Sequence, residues 1–389
     1  MIESVSAADR ARQGLVMADE REVFEKFLDI DALLDGNGSR GQTLLIPGGM
    51  KRASEISADY RSDAAGPAIP DWWKRDPEIY SSDVSLFRVQ NAYYFPEFGA
   101  IVTSDGQVMR STFAEANFVL ADPTKLPVIR GDVETIDRAI ITFPWGANSN
   151  YGHFALDCLP SVALTRQISA LAGYQYLFPV LKPWHRRHLH LTGLRNISEL
   201  TREVYFIKDA IFTSCMDHFM HAPNSNLRLL RDIEILNARK REVGTSTPTS
   251  RIYISRKGDQ KRIFEGEQLL EDELKSMSFE VIDPAQYSVD DQIAMFREAD
   301  AVVGCTGAAF TNVLYCHPSA RIVEIQPTHL QGIWVRNICA IVGLQWTPFF
   351  CHSLPPESPP VIGGKERPEL GMSFHLDIDD LVRFVNGVL

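Results

Sequence analysis

RIYISR (251–256), FEVIDP (279–284), ADAVVG (299–304) and ARIVEIQP (320–327) are short apolar runs rich in β-branched residues, each of a length that suits a strand. Helical spacing fills the gaps between them: Glu267 to Met277, Ser288 to Ala299 with Ser288 as N-cap, and Ala308 to Leu314. Strands alternating with helices at this density imply a parallel sheet joined by right-handed crossovers, an α/β Rossmann-like unit. The polar run GTSTPTS (244–250) just upstream reads as the linker that opens it. The last residues, Asp377 to Val388, suit a capped amphipathic helix.

Upstream of the linker the pattern is less regular. Val23, Phe24, Phe27, Leu28, Ile30, Leu33 and Leu34 fall at helical spacing, and Thr43 to Ile46 read as a strand. VSLFRVQNAYYFPEFGAIVTSDGQVMR (84–110) alternates apolar and polar positions around Ser104-Asp105-Gly106, the pattern of an antiparallel hairpin. AIITFPW (139–145) is a strand-like run, followed by a Gly/Asn/Ser loop and a helix-like run from His153 onward. The division expected is 1–120, an N-terminal helix and β-rich region; 121–245, a first Rossmann-like domain; 246–370, a second; and 371–389, a C-terminal helix.

The 389 residues, 45% hydrophobic, suffice for two domain cores. A formal charge of -11 argues against a phosphate-tracking nucleic-acid binder, so no nucleic-acid partner is expected. Cys158, Cys215, Cys305, Cys316, Cys339 and Cys351 form no C-x-x-C pair and read as small buried thiols of a reducing compartment. No run approaches a secretory core or about 18 apolar residues, which predicts a soluble, cytoplasmic chain without a transmembrane segment.

The sharpest local pattern is Gly304 to Asn312, GCTGAAFTN, a small-residue loop between strand and helix. Such a loop lets backbone N–H groups and a helix N-terminus approach an anion, although a tight turn without ligand fits it equally. Ser255, Arg256 and Lys257 end the first strand of the same unit, with Lys261 and Arg262 close behind. Cations there would offset charge on a departing diphosphate; a solvated basic turn is the plainer reading, favoured for Lys261. In the N-terminal half, Asn150 and Tyr151 lead into His153, and Asp157 follows at i+4, where an acid/base group and its orienting partner share a helix face. For an arbitrary H-x-x-x-D, a capping histidine beside a surface carboxylate is the commoner case.

Other patterns fail on context. Gly36 to Gly41 spells G-x-G-x-x-G, but a helix precedes it and a strand follows, the reverse of the dinucleotide fingerprint. Asp29-Ile-Asp31 lies in a helical run and Asp377-Ile-Asp379 looks like a cap. His185, His188 and His190 sit beside Arg186 and Arg187 without a carboxylate, a basic helix rather than a zinc site. No metal site is expected.

Taken in order, NAYYFPEFGAIVTSDGQV, NSNYGHFALDCLPSVALT, RIYISRKGDQKRIFEGEQLL, FEVIDP through ARIVEIQP, and the helix after HLDIDD resemble glycosyltransferase family 61. That group includes capsular-polysaccharide-type enzymes. The resemblance implies a GT-B-like fold, two Rossmann-like domains facing a cleft with an N-terminal antiparallel β element. It also implies an inverting, metal-independent transfer from a nucleotide-sugar to a saccharide or glycoconjugate, in surface polysaccharide biosynthesis, with no cofactor beyond that co-substrate. Its catalytic pair falls on His153 and Asp157, with Asn150 and Tyr151 toward the acceptor. Its donor-binding residues fall on Ser255, Arg256, Lys257, Arg262, Gly304, Thr306, Gly307, Ala308, Thr311, Asn312 and Glu324. The family's histidine in the glycine loop is Thr306 here, a hydroxyl that donates one hydrogen bond and carries no charge. That departure keeps open a non-catalytic nucleotide-sugar or carbohydrate-binding protein of the same fold. A sugar-nucleotide epimerase is a further rival, disfavoured in its nicotinamide form by the failed glycine fingerprint.

Overall fold

The structure, a computed structural model, describes residues 84–109, 126–129, 131–144, 146–214, 226–238, 251–257, 264–328, 332–362 and 371–389. It also describes position 368 and the short strands Val16–Ala18, Arg40–Ile46, Gly49–Arg52, Arg61–Ser62, Glu78–Ser81 and Lys365–Glu366. The linker at 244–250, Lys261, Arg262, Cys215, Asp29 and Asp31 lie outside the described residues, as does the helix expected over 18–34 apart from its first position. The chain divides into two units, Met1–Gly49 with Ser82–Phe219, and Met50–Ser81 with Met220–Leu389.

The first unit is built on one mixed sheet. Its strands are β1 (Val16–Ala18), β2 (Arg40–Ile46), β3 (Val84–Phe95), β4 (Ala100–Thr103), β5 (Gln107–Met109), β6 (Glu134–Ile141), β7 (Gln175–Pro179), β8 (Ile197–Leu200) and β9 (Tyr205–Thr213). They lie in the order β1-β5-β4-β3-β9-β6-β7-β8, with β2 also paired to β3. Residues 104–106 turn between β4 and β5, and Gly106 takes the left-handed φ of 87° that the turn needs. β3 runs antiparallel to β9, whereas β9, β6, β7 and β8 are mutually parallel. A boundary at 120 therefore cuts through a single sheet: β3 lends its edge to β9, and Phe87 stacks on Phe212 across the pair at 5.1 Å. Arg88 fastens the same junction with a two-pronged bond to Asp209, at 2.7 and 3.0 Å, which also accepts the Tyr174 hydroxyl at 2.6 Å.

After β6 a helix, α1, runs as Tyr151–His153, a π-helical stretch Phe154–Cys158, and Leu159–Thr165. The 3.6-residue period does not announce that widened turn. A second helix, α2 (Pro183–Leu191), precedes β8.

The second unit follows the expected alternation closely. It comprises α3 (Asn226–Asn237), β10 (Arg251–Ile254), α4 (Glu267–Ser276), β11 (Glu280–Ile282), α5 (Val289–Glu298), β12 (Ala301–Cys305), a 3-10 helix (Ala308–Tyr315), β13 (Arg321–Pro327), α6 (Trp334–Val342), β14 (Gln345–Leu354), β15 (Ser373–His375) and α7 (Ile378–Val388). Strand order is β11-β10-β12-β13-β14-β15, parallel through β14 and antiparallel at β15, and Arg61–Ser62 adds a short parallel pairing to β14. The first five strands thus run 2-1-3-4-5, a doubly wound order. β12 and β13 are buried along nearly their whole length, as a sheet covered on both faces requires. One face packs Tyr253, Val303, Val323 and Ile325 against Leu270 and Leu274 of α4 and Leu381 and Phe384 of α7. Ser288 caps α5 by accepting the Asp291 N–H at 3.2 Å, and Asp377 caps α7 by accepting that of Asp380 at 2.9 Å. Among the described residues no helix is long and apolar enough to cross a membrane.

Candidate functional site

In the first unit the parallel strands proceed from β6 outward to β7 and β8, and the chain then returns on the other side of β6 as β9. The carboxyl ends of β6 and β9 mark the point where the winding reverses, the position at which open α/β sheets hold ligands. The loop leaving β6 feeds directly into α1. Gly146 makes its turn possible with φ 91°, and its carbonyl accepts the N–H groups of Ser149 and Asn150 at 3.1 and 2.8 Å. A Cβ at Gly146 would lie 3.3 Å from Cδ2 of His153, so the loop and that ring are in close approach.

Asn150 is the N-cap: its Oδ1 accepts the backbone N–H of Gly152 at 2.8 Å and of His153 at 3.4 Å. Its side chain is thus committed to the helix start. One turn on, Nδ1 of His153 lies 3.2 Å from Oδ2 of Asp157, with the histidine side chain 32% exposed and the carboxylate 8%. The pair spans the entry to the π-helical stretch, a local widening that recurs at functional sites. A partly exposed imidazole backed by a nearly buried carboxylate can take a proton at Nε2 while the carboxylate fixes its orientation. Tyr151 has an aromatic packing role. Residues two apart on a helix do not face each other, and its ring lies against Trp184 and His188 at 5.6 Å from each, beside Phe154.

In the second unit the winding reverses between β10 and β12. Ser255 and Arg256 follow β10 there, and Thr306 and Gly307 follow β12. Ser255 donates its hydroxyl to Oε1 of Glu271 at 2.7 Å and accepts the N–H of Lys257 at 3.1 Å. Lys257 itself is exposed and bonds Gln268 on α4. Arg256 is half-buried, and its backbone N–H donates to Oε1 of Glu267 at 3.1 Å, which also accepts the Tyr253 hydroxyl at 2.7 Å. Burial foremost pushes the Glu267 carboxyl up.

The glycine loop has a packing role that sequence alone did not separate from anion binding. A Cβ at Gly304 would meet the Ile254 side chain at 3.0 Å, its carbonyl at 3.1 Å and the Phe310 ring at 3.1 Å, so this glycine lets Phe310 seat against the sheet. Gly307 has φ 170°, ordinary extended backbone. Ala308 and Ala309, half-buried at the first turn of the 3-10 helix, are the loop's accessible positions. Asn312 is fully buried and donates to Oε1 of Gln292 on α5 at 2.9 Å, a tie between helices. The hydroxyl of Thr311 is buried without a partner among the described residues.

Glu324 pairs with Gly304 in register and faces away from the Val323 and Ile325 core. Its Oε2 accepts the indole N–H of Trp346 at 2.8 Å. The Thr306 hydroxyl approaches the same carboxyl, but among the described residues Oε1 has no partner of good geometry. Complete burial pushes this carboxyl up to about 7, against the lowering effect of those two donors. Gln326, Arg336 and Asn337 are also fully buried, and Gln326 Oε1 and Asn337 Nδ2 have no partner among the described residues. This polar set went unread because 330–370 carries no spacing signal: Trp346 and Asn337 gain meaning only from what packs beside them.

Among the described residues, no group of three or more His, Cys, Asp or Glu is placed to hold a metal ion. Asp377 of the Asp377-Ile-Asp379 run caps α7. Cys158, Cys305, Cys316, Cys339 and Cys351 are buried free thiols.

Compared with protein-family models, residues 151–323 match the one described as Glycosyltransferase 61. The match starts two residues before His153 and stops one short of Glu324. No curated protein matches the chain.

Proposed function

The chain is a member of glycosyltransferase family 61 through residues 151–323, and from that premise we propose an inverting, metal-independent glycosyltransferase of GT-B type that uses a nucleotide-sugar donor. Its acceptor is a saccharide or glycoconjugate of a surface polysaccharide pathway. The observation that carries the reading is the placement of the chemistry-bearing residues at winding reversals: His153 and Asp157 follow β6, and Arg256 and the Thr306-Gly307 loop follow β10 and β12.

In the proposed transfer the acceptor hydroxyl loses its proton to the His153–Asp157 pair as its oxygen attacks the anomeric carbon. The bond from that carbon to the diphosphate breaks on the opposite face, and the electron pair leaves with the nucleotide. With Asp157 nearly buried and His153 partly exposed, His153 takes the proton and Asp157 orients the ring and balances the imidazolium charge. Arg256 and the first N–H groups at Ala308 and Ala309 offset charge on the leaving diphosphate. Lys257 and Ser255 act at a remove, since both are engaged with α4. Thr306 holds Glu324 rather than supplying charge.

A thermal-shift panel of UDP, GDP, CMP and TDP and their common sugars, with and without chelator, tests the donor half. We expect one nucleotide to raise Tm, the shift to survive chelator, and Arg256→Ala to abolish it. Absence of a shift with every nucleotide would remove the donor site from the second unit.

A further inference from the structure

The histidine run of α2 has a purpose that its basic surroundings conceal. His185 is fully buried, and both ring nitrogens are engaged with backbone. Nδ1 accepts the N–H of Lys182 at 3.0 Å, closing the start of α2 from its third position as a Glu or Gln does in a capping box. Nε2 donates to the carbonyl of Ala147 at 3.0 Å, 38 residues away in the loop after β6. One nitrogen accepts and the other donates, so the ring is neutral and its tautomer is set by its two partners. Burial foremost holds this imidazole down at about 4, in keeping with the neutral form. The rings of Phe143, Phe154 and Trp184 enclose it, with centroids at 5.7, 4.6 and 3.6 Å.

Ala147 belongs to the turn in which the Gly146 carbonyl holds the N–H of Asn150, and Asn150 caps the helix carrying His153. Gly146 lies against the His153 ring itself. A continuous set of contacts thus joins His185 to His153 without reaching the reacting atoms. We infer that His185 is a positioning residue: its Nε2–H bond to Ala147 fixes the 146–150 loop and, through it, the orientation of His153 toward Asp157. The inference rests on the reading of His153 and Asp157 as the acceptor-activating pair.

The test uses full-length protein carrying 15N-labelled histidine, with the His153 signals assigned by their loss in His153→Gln. His185→Asn and His185→Asp each keep an oxygen in the place of Nδ1 to accept the Lys182 N–H, and both are too short to reach the Ala147 carbonyl that Nε2 meets, so either serves if the other does not fold. Asp157→Asn supplies the signature of an uncoupled His153. We expect wild type to show the Nδ1-protonated pattern of a ring bonded to Asp157, and both His185 variants to move toward the Asp157→Asn pattern with Tm close to wild type. On an identified donor, kcat should fall about 10- to 100-fold with donor KM unchanged, the size of a misplaced catalytic group. A His153 signal unaltered in every folded His185 variant, while Asp157→Asn changes it, overturns the positioning role alone. No change in Asp157→Asn overturns the coupled pair, and the inference with it.

Discussion

Glu324 is a carboxyl in the middle of a buried strand, and its preferred state at neutral pH decides whether the second unit gains or loses stability there. Its folded value of about 7 stands above the ordinary 4.5, so the folded state binds the proton more tightly. The resulting stabilisation is fully present below 4.5 and is lost as pH rises through 7. Glu324→Gln keeps an acceptor for the Trp346 indole and removes the ionisation. It should be more stable than wild type at pH 8, by up to about 3 kcal/mol, and urea midpoints compared at pH 5 and pH 8 would show it. An equal gap at both pH values would mean that Glu324 ionises freely where it stands. The residue was legible in the sequence only as the acid of a resembled motif, because nothing in ARIVEIQP reveals that Trp346 and Thr306 meet it.

His185 runs the opposite way. Its imidazole is held at about 4 against an ordinary 6.5, so the unfolded chain takes up a proton first as pH falls. Stability should decline from 6.5 toward 4, by up to about 3 kcal/mol for this group, and His185→Gln should flatten that part of the profile. Lys182, His188 and Arg186 all add to the lowering, so the slope belongs to a cluster of positive neighbours as well as to burial. Read as one of three histidines in a basic run, His185 was indistinguishable from its neighbours. Only the fold shows that it is the one bridging two backbone segments.

At the level of elements, the glycines and caps of the two loops do separate work. Gly304→Ala would press a methyl group onto Ile254 and Phe310, both buried, and should cost about 1–3 kcal/mol of stability in chemical denaturation. Retention of full stability would show that β12 and the 3-10 helix are not packed through that glycine. Asn150→Ala removes an N-cap and should cost about 1 kcal/mol. Capped helices were the most readable elements: Ser288 and Asp377 announce α5 and α7, and both accept the expected N–H groups. The π-helical turn at Phe154–Cys158 was not readable, since one extra residue in a turn leaves no period behind. Nor were α6 and β14, where Pro and aromatic residues mask the alternation.

On the scale of the whole chain, the parallel sheet of the second unit was legible in its alternation of short apolar runs and capped helices, whereas the strand order 2-1-3-4-5 was not, since it depends on which runs pair. The first unit was harder to read. Its antiparallel strands and its parallel ones look like separate regions along the chain, yet β3 and β9 pair and make them one sheet. Local periodicity names the strands on either side of such a seam but not their pairing, which depends on partners 121 residues apart such as Arg88 and Asp209. His153 and Asp157 were legible as a pair because their spacing is local, and Ser255 to Arg262 and the Gly304 loop were legible as a basic strand end and a small-residue turn, while Glu324 depended on resemblance. Turnover tests the proposed transfer most directly: nucleotide release from the donor found by thermal shift, in the presence of a saccharide acceptor panel, for wild type and Asp157→Asn. A His153–Asp157 pair that activates the acceptor gives acceptor-dependent release by wild type and a loss of about 10²-fold or more in the variant with donor affinity intact; release at the wild-type rate by Asp157→Asn, or none by wild type from a bound donor, would contradict that role.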